Sequence, residues 1–270
     1  VKGVFTWDGR VWEEYPLMKI RGFAERHITF KPSNAERVEF QEKLLANNLK
    51  PADFLDPYGY VNFQNGMMRL PGGKVTQELK DSEIEMEAFT LHPHRPELGM
   101  TSILPFNFQA DAECPRFLQF MSEVTFGDKE LIAILQEFMG YCLSNADAEL
   151  GERALILLGD GSNGKSVFLD VFKNLVGKKN FASVPLNQLE QPTSRHELYG
   201  KMFNVTEETP KQGLKDSSVF KNLVTGGTMT IKKLYKDPAT VKNNCKFIMA
   251  ANELPHNTDT TKGMFRKILI

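Results

Sequence analysis

The feature that most constrains the fold of this chain is a glycine-rich stretch between two apolar segments. The residues Gly159-Asp160-Gly161-Ser162-Asn163-Gly164-Lys165-Ser166 follow the apolar run 154–158 and precede a segment with helix-spaced apolar residues. This order predicts a buried strand, a tight turn and a helix. In a phosphate-binding loop of this form, backbone N–H groups converge on a phosphate, the lysine reaches the β- and γ-phosphates, and the serine hydroxyl ligates Mg²⁺. The stretch predicts binding of a nucleoside triphosphate, with ATP and Mg²⁺ as the expected ligands.

The composition excludes several classes of protein. The chain has 270 residues and a net charge of −1. It has neither an apolar run long enough to cross a bilayer nor a signal peptide at its start, so we expect no membrane partner. Cys114, Cys142 and Cys245 are scattered without CxxC spacing, which argues against disulfides and metal sites and favours a reducing compartment. We therefore expect a cytoplasmic protein.

Apolar spacing and turn signals divide the chain into three predicted regions. Residues 1–110 contain short β-prone runs around turns such as Asp8-Gly9, which predict an α+β region with hairpins. Residues 111–150 have helical periodicity and form a predicted helical subdomain, with Asp128 as one helix cap. Residues 151–270 form the predicted nucleotide-binding domain. Because the chain begins without methionine and ends inside an apolar run, we expect a fragment whose last domain is truncated at its carboxyl end.

Local patterns in the first two regions give specific expectations. Trp7 and Trp12 flank a turn, and cross-strand packing of their rings is favoured over a stacking platform for bases. Ser33 is expected to cap a helix over 34–48. Pro71-Gly72-Gly73 predicts a further hairpin whose arms are Met67–Leu70 and Lys74–Gln77. One buried helix face is expected to comprise Leu131, Ile134, Leu135, Phe138, Met139 and Cys142.

From Glu152 onward the pattern reads strand, loop, helix, linker, strand, helix, hairpin, strand. Such alternation predicts an α/β fold with a mostly parallel sheet and with its functional loops at the carboxyl ends of the strands. The segment 211–246 holds eight lysines against two aspartates, a local excess of +6 that the net charge of the whole chain conceals. This lysine-rich strip is a candidate surface for nucleic acid.

A triphosphate hydrolase also needs polar groups beside the phosphates, and the sequence offers candidates. Glu207 and Glu208 end one β-prone run; Glu207 is the candidate Mg²⁺ ligand through water, and Glu208 the group that polarises the attacking water. A solvated turn is the alternative for this pair. Asn252 ends a second run and is a candidate to contact the γ-phosphate, although asparagine is also common in turns. Arg266 is a candidate to neutralise transition-state charge on a neighbouring subunit's nucleotide.

An ordered series of motifs resembles a known family. The glycine-rich loop is followed by Thr206-Glu207-Glu208, Leu223-Val224-Thr225-Gly226-Gly227, Leu234-Tyr235-Lys236-Asp237-Pro238 and Ala251-Asn252-Glu253-Leu254-Pro255. Together these residues resemble superfamily 3 helicases of the phage, plasmid and poxvirus primase–helicase type, over roughly residues 60–270. The resemblance implies an AAA+-like P-loop ATPase in a hexameric ring that hydrolyses ATP between subunits and unwinds DNA in replication, usually moving 3′ to 5′ on single-stranded or forked DNA.

The resemblance also implies roles for individual residues. Lys165 and Ser166 match Walker A, Glu207 and Glu208 match Walker B, Asn252 matches sensor 1, and Arg266 occupies the arginine-finger position. A DNA-gripping hairpin would include Lys232, Lys233 and Lys236, although charged residues protecting an exposed sheet edge are the alternative. The chain departs from the family in having Lys267 where a second arginine is common. It contains no primase motif, so a primase or polymerase domain would lie elsewhere in the full-length chain.

Two other functions are compatible with a phosphate-binding loop. A nucleotide-switched DNA-binding or assembly module of a replication initiator would bind the triphosphate with little hydrolysis, but such a switch has no need of Glu208. A small-molecule phosphotransferase would need an acceptor site and an arginine-rich lid, and it would leave the lysine-rich strip and Asn252 unexplained.

Overall fold

The computed structural model of the chain describes residues 4–16, 33–36, 38–39, 55–71, 86–144, 148–161, 163–207, 217–233, 237–253 and 266–270. The strands are β1 (Phe5–Trp7), β2 (Trp12–Glu14), β3 (Tyr60–Phe63), β4 (Gly66–Arg69), β5 (Leu91–His92), β6 (Ala154–Leu158), β7 (Phe181–Ala182), β8 (Phe203–Thr206), β9 (Thr228–Ile231), β10 (Ala239–Lys242), β11 (Lys246–Ala251) and β12 (Ile268–Leu269). The α-helices are α1 (Pro115–Val124), α2 (Lys129–Leu143), α3 (Ala148–Gly151), α4 (Lys165–Val176), α5 (Pro192–Arg195) and α6 (Ser217–Val224).

A five-stranded parallel sheet forms the centre of the carboxyl-terminal half. Its strand order is β12-β6-β11-β8-β7, and all neighbouring strands run parallel. The central strand β11 is buried along its whole length, as expected for a strand covered on both faces. This arrangement confirms the predicted α/β fold with a mostly parallel sheet. The sequence did not indicate β7, because a two-residue edge strand is too short to show a period.

Both faces of the sheet are covered. On one face the ring of Phe172 in α4 stacks on Phe203 of β8 with centroids 4.5 Å apart. On the other face Phe220 of α6 packs edge-on against Phe247 of β11 at 5.8 Å. Asn204 of β8 is buried, and its amide exchanges hydrogen bonds with the backbone N–H and C=O of Val184, at 2.7 and 2.9 Å. A polar residue inside a buried strand is thereby satisfied.

The amino-terminal residues form smaller antiparallel units. β1 and β2 pair as predicted, and the rings of Trp7 and Trp12 lie 5.8 Å apart across the hairpin. Ser33 caps the helix as predicted and forms a capping box with Glu36, since the Ser33 N–H donates to the Glu36 carboxylate at 2.7 Å and Ser33 Oγ accepts from the Glu36 N–H at 3.3 Å. Most of the helix predicted after Ser33 lies outside the described residues.

The hairpin predicted around Pro71-Gly72-Gly73 is wrong for its first arm. β4 is the central strand of a three-stranded sheet, with β3 and β5 on its two edges. A turn at Gln64-Asn65 connects β3 to β4, so the hairpin partner of β4 is β3, which precedes it in the chain. The segment 74–77, which was the expected second arm, lies outside the described residues.

The helical region matches its predicted caps and most of its buried face. The Asp128 side chain accepts hydrogen bonds from the N–H groups of Glu130 and Leu131, at 3.0 and 3.1 Å, and so begins α2. Leu135, Phe138, Met139 and Cys142 are buried as expected, but Ile134 is 42% exposed because it lies at the margin of that face. One hydrophobic cluster joins residues of β3, α1, α2, α4 and β11. The division at residues 110 and 150 stays a prediction.

No helix among the described residues is long and apolar enough to cross a membrane.

Candidate nucleotide-binding site

The glycine-rich stretch leaves the sheet at the carboxyl end of β6 and leads directly into α4. Its first residue is tied to the neighbouring strand, because the N–H of Gly159 donates to the C=O of Ala251 at 3.2 Å. Its last glycine, Gly164, is the residue before α4 and has a left-handed φ of +86°. That backbone angle favours glycine over any residue with a Cβ. The loop therefore presents the amino end of a twelve-residue helix at the sheet edge, where anions bind.

Helix α1 lies against this loop. A Cβ added at Gly164 would lie 2.5 Å from Val124 Cγ1 and 3.4 Å from the Phe120 ring. The space at Gly164 is therefore filled by side chains of the helical region, which precedes the loop by about forty residues in sequence. Glycine at this position is required both by its φ and by this close approach.

The side chains of Lys165 and Asn163 fold onto the loop itself. The ammonium group of Lys165 donates to the C=O of Gly159, to the C=O of Asp160 at 3.1 Å and to Asn163 Oδ1 at 2.9 Å. A Cβ added at Gly159 would lie 2.1 Å from Asn163 Nδ2, so the loop closes around this amide. The Lys165 charge is thereby held at the mouth of the loop, where phosphate oxygens would accept its protons. Ser166 is exposed in the first turn of α4, and Ser162 lies outside the described residues.

The strand register brings the other predicted site residues to the same edge of the sheet. Ala251 pairs with Leu158, so the next residues, Asn252 and Gly159, leave β11 and β6 side by side. On the other side of β11, Met249 pairs with Thr206, which places Glu207 next to Ala250. Asn252 and Glu207 are both exposed at this edge. Glu208 lies outside the described residues, and the roles predicted for all four residues of this edge stay predictions.

The Glu207 carboxylate contacts a lysine that the sequence did not single out. Lys173 of α4 donates a hydrogen bond to Glu207 Oε1 and forms an ion pair with Asp170 Oδ1 at 2.7 Å. Burial opposes protonation of Lys173, but the hydrogen bonds to the two carboxylates outweigh it and raise its pKa above the usual value. In sequence Lys173 is an ordinary lysine of an amphipathic helix. No local signal links it to a glutamate thirty-four positions later.

Arg266 lies at the opposite edge of the sheet from the loop. It precedes β12, and Ile268 of β12 pairs with Ala154, the first residue of β6. At least the length of β6, about 13 Å, therefore separates it from Gly159 of its own chain. The neighbouring Lys267 pairs with Glu152 at 2.6 Å, and this hydrogen bond holds the pKa of the Glu152 carboxyl below its usual value. Glu152 thus engages Lys267, and the exposed Arg266 is not brought to the loop of its own chain.

Only some of the lysines in the lysine-rich strip are exposed at the surface. β9 and β10 pair as an antiparallel hairpin, and Lys232 and Lys233 are exposed where β9 ends. The hairpin is anchored to α5, because the N–H of Lys232 donates to the C=O of Pro192 at 2.9 Å. Lys246, in contrast, is buried with its ammonium group 5.1 Å from the centre of the Tyr141 ring, so it does not belong to the exposed strip. Lys236 lies outside the described residues.

The residue types at the carboxyl edge of the sheet are ones that a nucleotide-bound Mg²⁺ uses. Mg²⁺ in such sites keeps most of its waters and takes one or two protein oxygens, a demand that the Ser166 hydroxyl and the Glu207 carboxylate would meet. Among the described residues, no group of three or more His, Cys, Asp or Glu side chains is arranged to hold a metal. Burial raises the pKa of the Cys142 thiol to about 12 and that of Cys245 as well, which makes both thiols poor ligands.

Comparisons with known proteins agree with the order of these motifs. The family model described as D5 N terminal like matches residues 1–126, and a family of unknown function, DUF5906, matches residues 157–267. A protein of Acanthamoeba polyphaga mimivirus named as a helicase, L207/L206, is 27% identical over 151 residues, which cover 53% of this chain and 15% of that protein. The uncharacterized mitochondrial protein ymf21 of Marchantia polymorpha is 32% identical over 79 residues, which cover 29% of this chain and 43% of that protein.

Two solved structures resemble the fold at a lower level. The apo structure of the NrS-1 C terminal region has a TM-score of 0.46 at 16% identity and covers 81% of this chain and 61% of that one. The JCV helicase has a TM-score of 0.36 at 12% identity and covers 57% of this chain and 43% of that one. Scores this low carry no inference about the site. The chain is thus similar in its amino-terminal half to the D5-like family and over about half of its length to a mimivirus protein named as a helicase, in agreement with the resemblance to primase–helicases that the order of its motifs indicates.

Proposed function

We propose that this chain is the ATP-hydrolysing motor of a DNA helicase that acts in the replication of a phage, virus or plasmid. Its subunits form a ring, hexameric in the simplest case, and hydrolyse ATP at the interfaces between them. The ring moves along single-stranded DNA and separates forked DNA. The chain spans less than half the length of the curated relatives it matches, and these activities are therefore proposals.

One observation carries this proposal: the groups needed for hydrolysis are divided between the two edges of the sheet. The loop, Glu207 and Asn252 end strands that are neighbours in the sheet, at its carboxyl edge. Arg266 lies at the amino edge, farther from its own loop than the length of β6, which is about 13 Å. An arginine there neutralises charge on a nucleotide only if that nucleotide is bound to another subunit. A small-molecule kinase would complete its site within one chain.

The chemistry of the site follows from the positions of its residues. The loop amides and the Lys165 ammonium group bind the phosphates, and the Ser166 hydroxyl and Glu207 would hold Mg²⁺, which screens the phosphate charge when bound. Glu208 orients and polarises the attacking water, and Asn252 donates hydrogen bonds to the γ-phosphate. Arg266 of a neighbouring subunit stabilises the charge that develops on the transferred phosphoryl group.

The β9–β10 hairpin would couple hydrolysis to DNA. Lys232 and Lys233 are exposed where β9 ends, and Lys236 follows within the same connection. Lysines in a ring channel contact phosphates without reading sequence, which suits a protein that must move along any DNA strand.

The decisive experiment is single-turnover ATP hydrolysis by the full chain, with and without single-stranded DNA, for wild type, Lys165→Ala and the exposed control Lys178→Ala. We expect DNA to stimulate hydrolysis, Lys165→Ala to abolish it and the control to behave as wild type. Nucleotide binding without hydrolysis would instead indicate a switch, and phosphate transfer to a nucleoside or sugar would overturn the proposal. Unwinding of a forked substrate by the same preparations then tests whether hydrolysis drives strand separation.

A further inference from the structure

Lys173 stands between two carboxylates in the middle of α4. Its ammonium group contacts Glu207 Oε1 on one side and Asp170 Oδ1, at 2.7 Å, on the other. The Lys173 side chain is only 18% exposed, whereas those of Asp170 and Glu207 are 63% and 57% exposed. The lysine is therefore the fixed member of this group, and the two carboxylates are the members that water and ions reach.

The contact directs Glu207 along α4 and away from the loop. Lys173 lies eight residues after Lys165, which corresponds to about 12 Å along the helix axis. Residues alternate between faces along a strand, so Glu207 shares the face of Phe203, whose ring stacks on Phe172. Helix α4 thus contacts strand β8 through Phe172 and the carboxylate of Glu207, the residue after β8, through Lys173.

We propose that Lys173 is a positioning residue that competes with the nucleotide-bound divalent cation for the Glu207 carboxylate. The inference rests on the proposed function of the site and adds a control to it. Lys173 holds Oε1 of Glu207 at a point about 12 Å along α4 from Lys165, so the carboxylate reaches the cation at the loop only after Lys173 releases it. Asp170 makes the release inexpensive, because the ammonium group keeps one carboxylate partner when it loses the other.

Substitution of Lys173 and substitution of its partner Asp170 are expected to change the Mg²⁺ requirement in opposite directions. Lys173→Met keeps the apolar stem of the side chain and removes its charge, so Glu207 becomes available and less Mg²⁺ is needed. Asp170→Asn removes the alternative partner, so Lys173 holds Glu207 more firmly and more Mg²⁺ is needed. Exposed ion pairs of this kind are weak, and we therefore expect shifts of about two- to fivefold in the half-saturating Mg²⁺ concentration.

The test is a Mg²⁺ titration of the binding of a fluorescent, non-hydrolysable ATP analogue to the full chain, which requires no turnover. Lys178→Ala serves as the matched control, because Lys178 is an exposed lysine five residues further on. In a Glu207→Gln background, the effect of Lys173→Met should disappear, since the group for which the lysine competes has been changed. Melting curves of each variant report on folding.

Three outcomes would overturn the inference. They are an unchanged Mg²⁺ requirement in Lys173→Met, shifts in the same direction for Lys173→Met and Asp170→Asn, and a shift that persists in the Glu207→Gln background. If Lys173→Met does not fold, Asp170→Asn alone still decides, since an unchanged or lowered Mg²⁺ requirement contradicts the competition. Failure of the proposed function is recognised separately, because wild type would then bind the analogue without hydrolysing ATP in the single-turnover assay.

Discussion

The two edges of the parallel sheet differ in how many of their functional side chains are held by contacts within the same chain. At the carboxyl edge, the loop folds around its own Lys165, α1 fills the space at Gly164, and Asn252 lies beside Gly159. At the amino edge, Glu152 pairs with Lys267 while Arg266 is exposed. One edge is organised from within the subunit, and the other presents a cation outward.

This difference indicates why binding and hydrolysis should be separable in this protein. Phosphate binding needs only the carboxyl edge, which packing and hydrogen bonds hold in place in a single chain. Hydrolysis in our proposal also needs the amino edge of a second chain. The base of the β9–β10 hairpin lies at this amino edge too, because Lys242 pairs with Glu149 of α3, the helix before β6, at 2.7 Å. The base of the hairpin and Arg266, the proposed arginine finger, thus lie at the same edge, away from the loop.

The largest effect is expected at the amino edge. Arg266→Ala should lower hydrolysis by about 10³-fold or more, since an arginine finger contributes this much to phosphoryl transfer, and should leave nucleotide binding nearly unchanged. Lys267→Ala is the matched control, because its ammonium group is held by Glu152. Single-turnover hydrolysis and equilibrium binding of an ATP analogue measure the two quantities separately.

Mixing variants tests whether the arginine acts on a neighbour. A subunit with Arg266→Ala keeps an intact loop, and a subunit with Lys165→Ala keeps an intact arginine. An interface between them contains both groups, so the mixture should recover part of the activity that each variant lacks alone. If the mixture recovers no activity at protein concentrations where subunits associate, the arginine does not act on a neighbour. Loss of nucleotide binding in Arg266→Ala would likewise contradict the assignment of binding to the carboxyl edge alone.

The sequence was informative where the structure depends on local order and silent where it depends on distant contacts. The strand–loop–helix around Gly159–Ser166, the Trp7–Trp12 hairpin and the Asp128 cap all follow from neighbouring residues, and the structure confirms them. The partner of Glu207 and the helix against Gly164 were not indicated, because α4, α1 and β8 meet only through the fold. The predicted hairpin partner of β4, segment 74–77, was wrong for a related reason. A turn signal predicts a turn but does not show which strands pair beside it.

A smaller effect is expected at the carboxyl edge, where Gly164→Ala tests how tightly α1 supports the loop. The new Cβ would lie 2.5 Å from Val124 Cγ1, at a backbone φ of +86°. Left-handed strain and overpacking together should lower the free energy of unfolding by about 2–4 kcal/mol, measured by chemical denaturation. Gly161→Ala is the control, since its Cβ would meet no atom within 4 Å, and its stability should change by less than about 0.5 kcal/mol.

A second substitution separates the two causes. Val124→Ala in the Gly164→Ala background removes the contact but not the backbone strain, so it should restore part of the lost stability. Equal losses in Gly164→Ala and Gly161→Ala would mean that α1 does not support the loop, and the carboxyl edge would then be no more self-contained than the amino edge.

The smallest effect is expected at the hairpin, where single lysine substitutions should weaken DNA binding only a few-fold. Removing one phosphate contact lowers the slope of log affinity against log salt by about 0.7 for single-stranded DNA. Lys232→Ala and Lys236→Ala should each show this change in fluorescence anisotropy titrations with an oligonucleotide, while hydrolysis without DNA is retained. Lys233→Ala should have less effect, because Glu14 lies 3.9 Å from its ammonium group and already offsets part of its charge.

Lys242→Ala is the matched control for these variants, since Lys242 lies on the same hairpin at its base and pairs with Glu149. If DNA contacts the hairpin where β9 ends, the control should keep both the affinity and the salt slope of wild type. Equal losses for Lys242→Ala and Lys232→Ala would indicate a general effect of positive charge. Unchanged slopes for Lys232→Ala and Lys236→Ala would show that these lysines protect the hairpin edge and that DNA is held elsewhere.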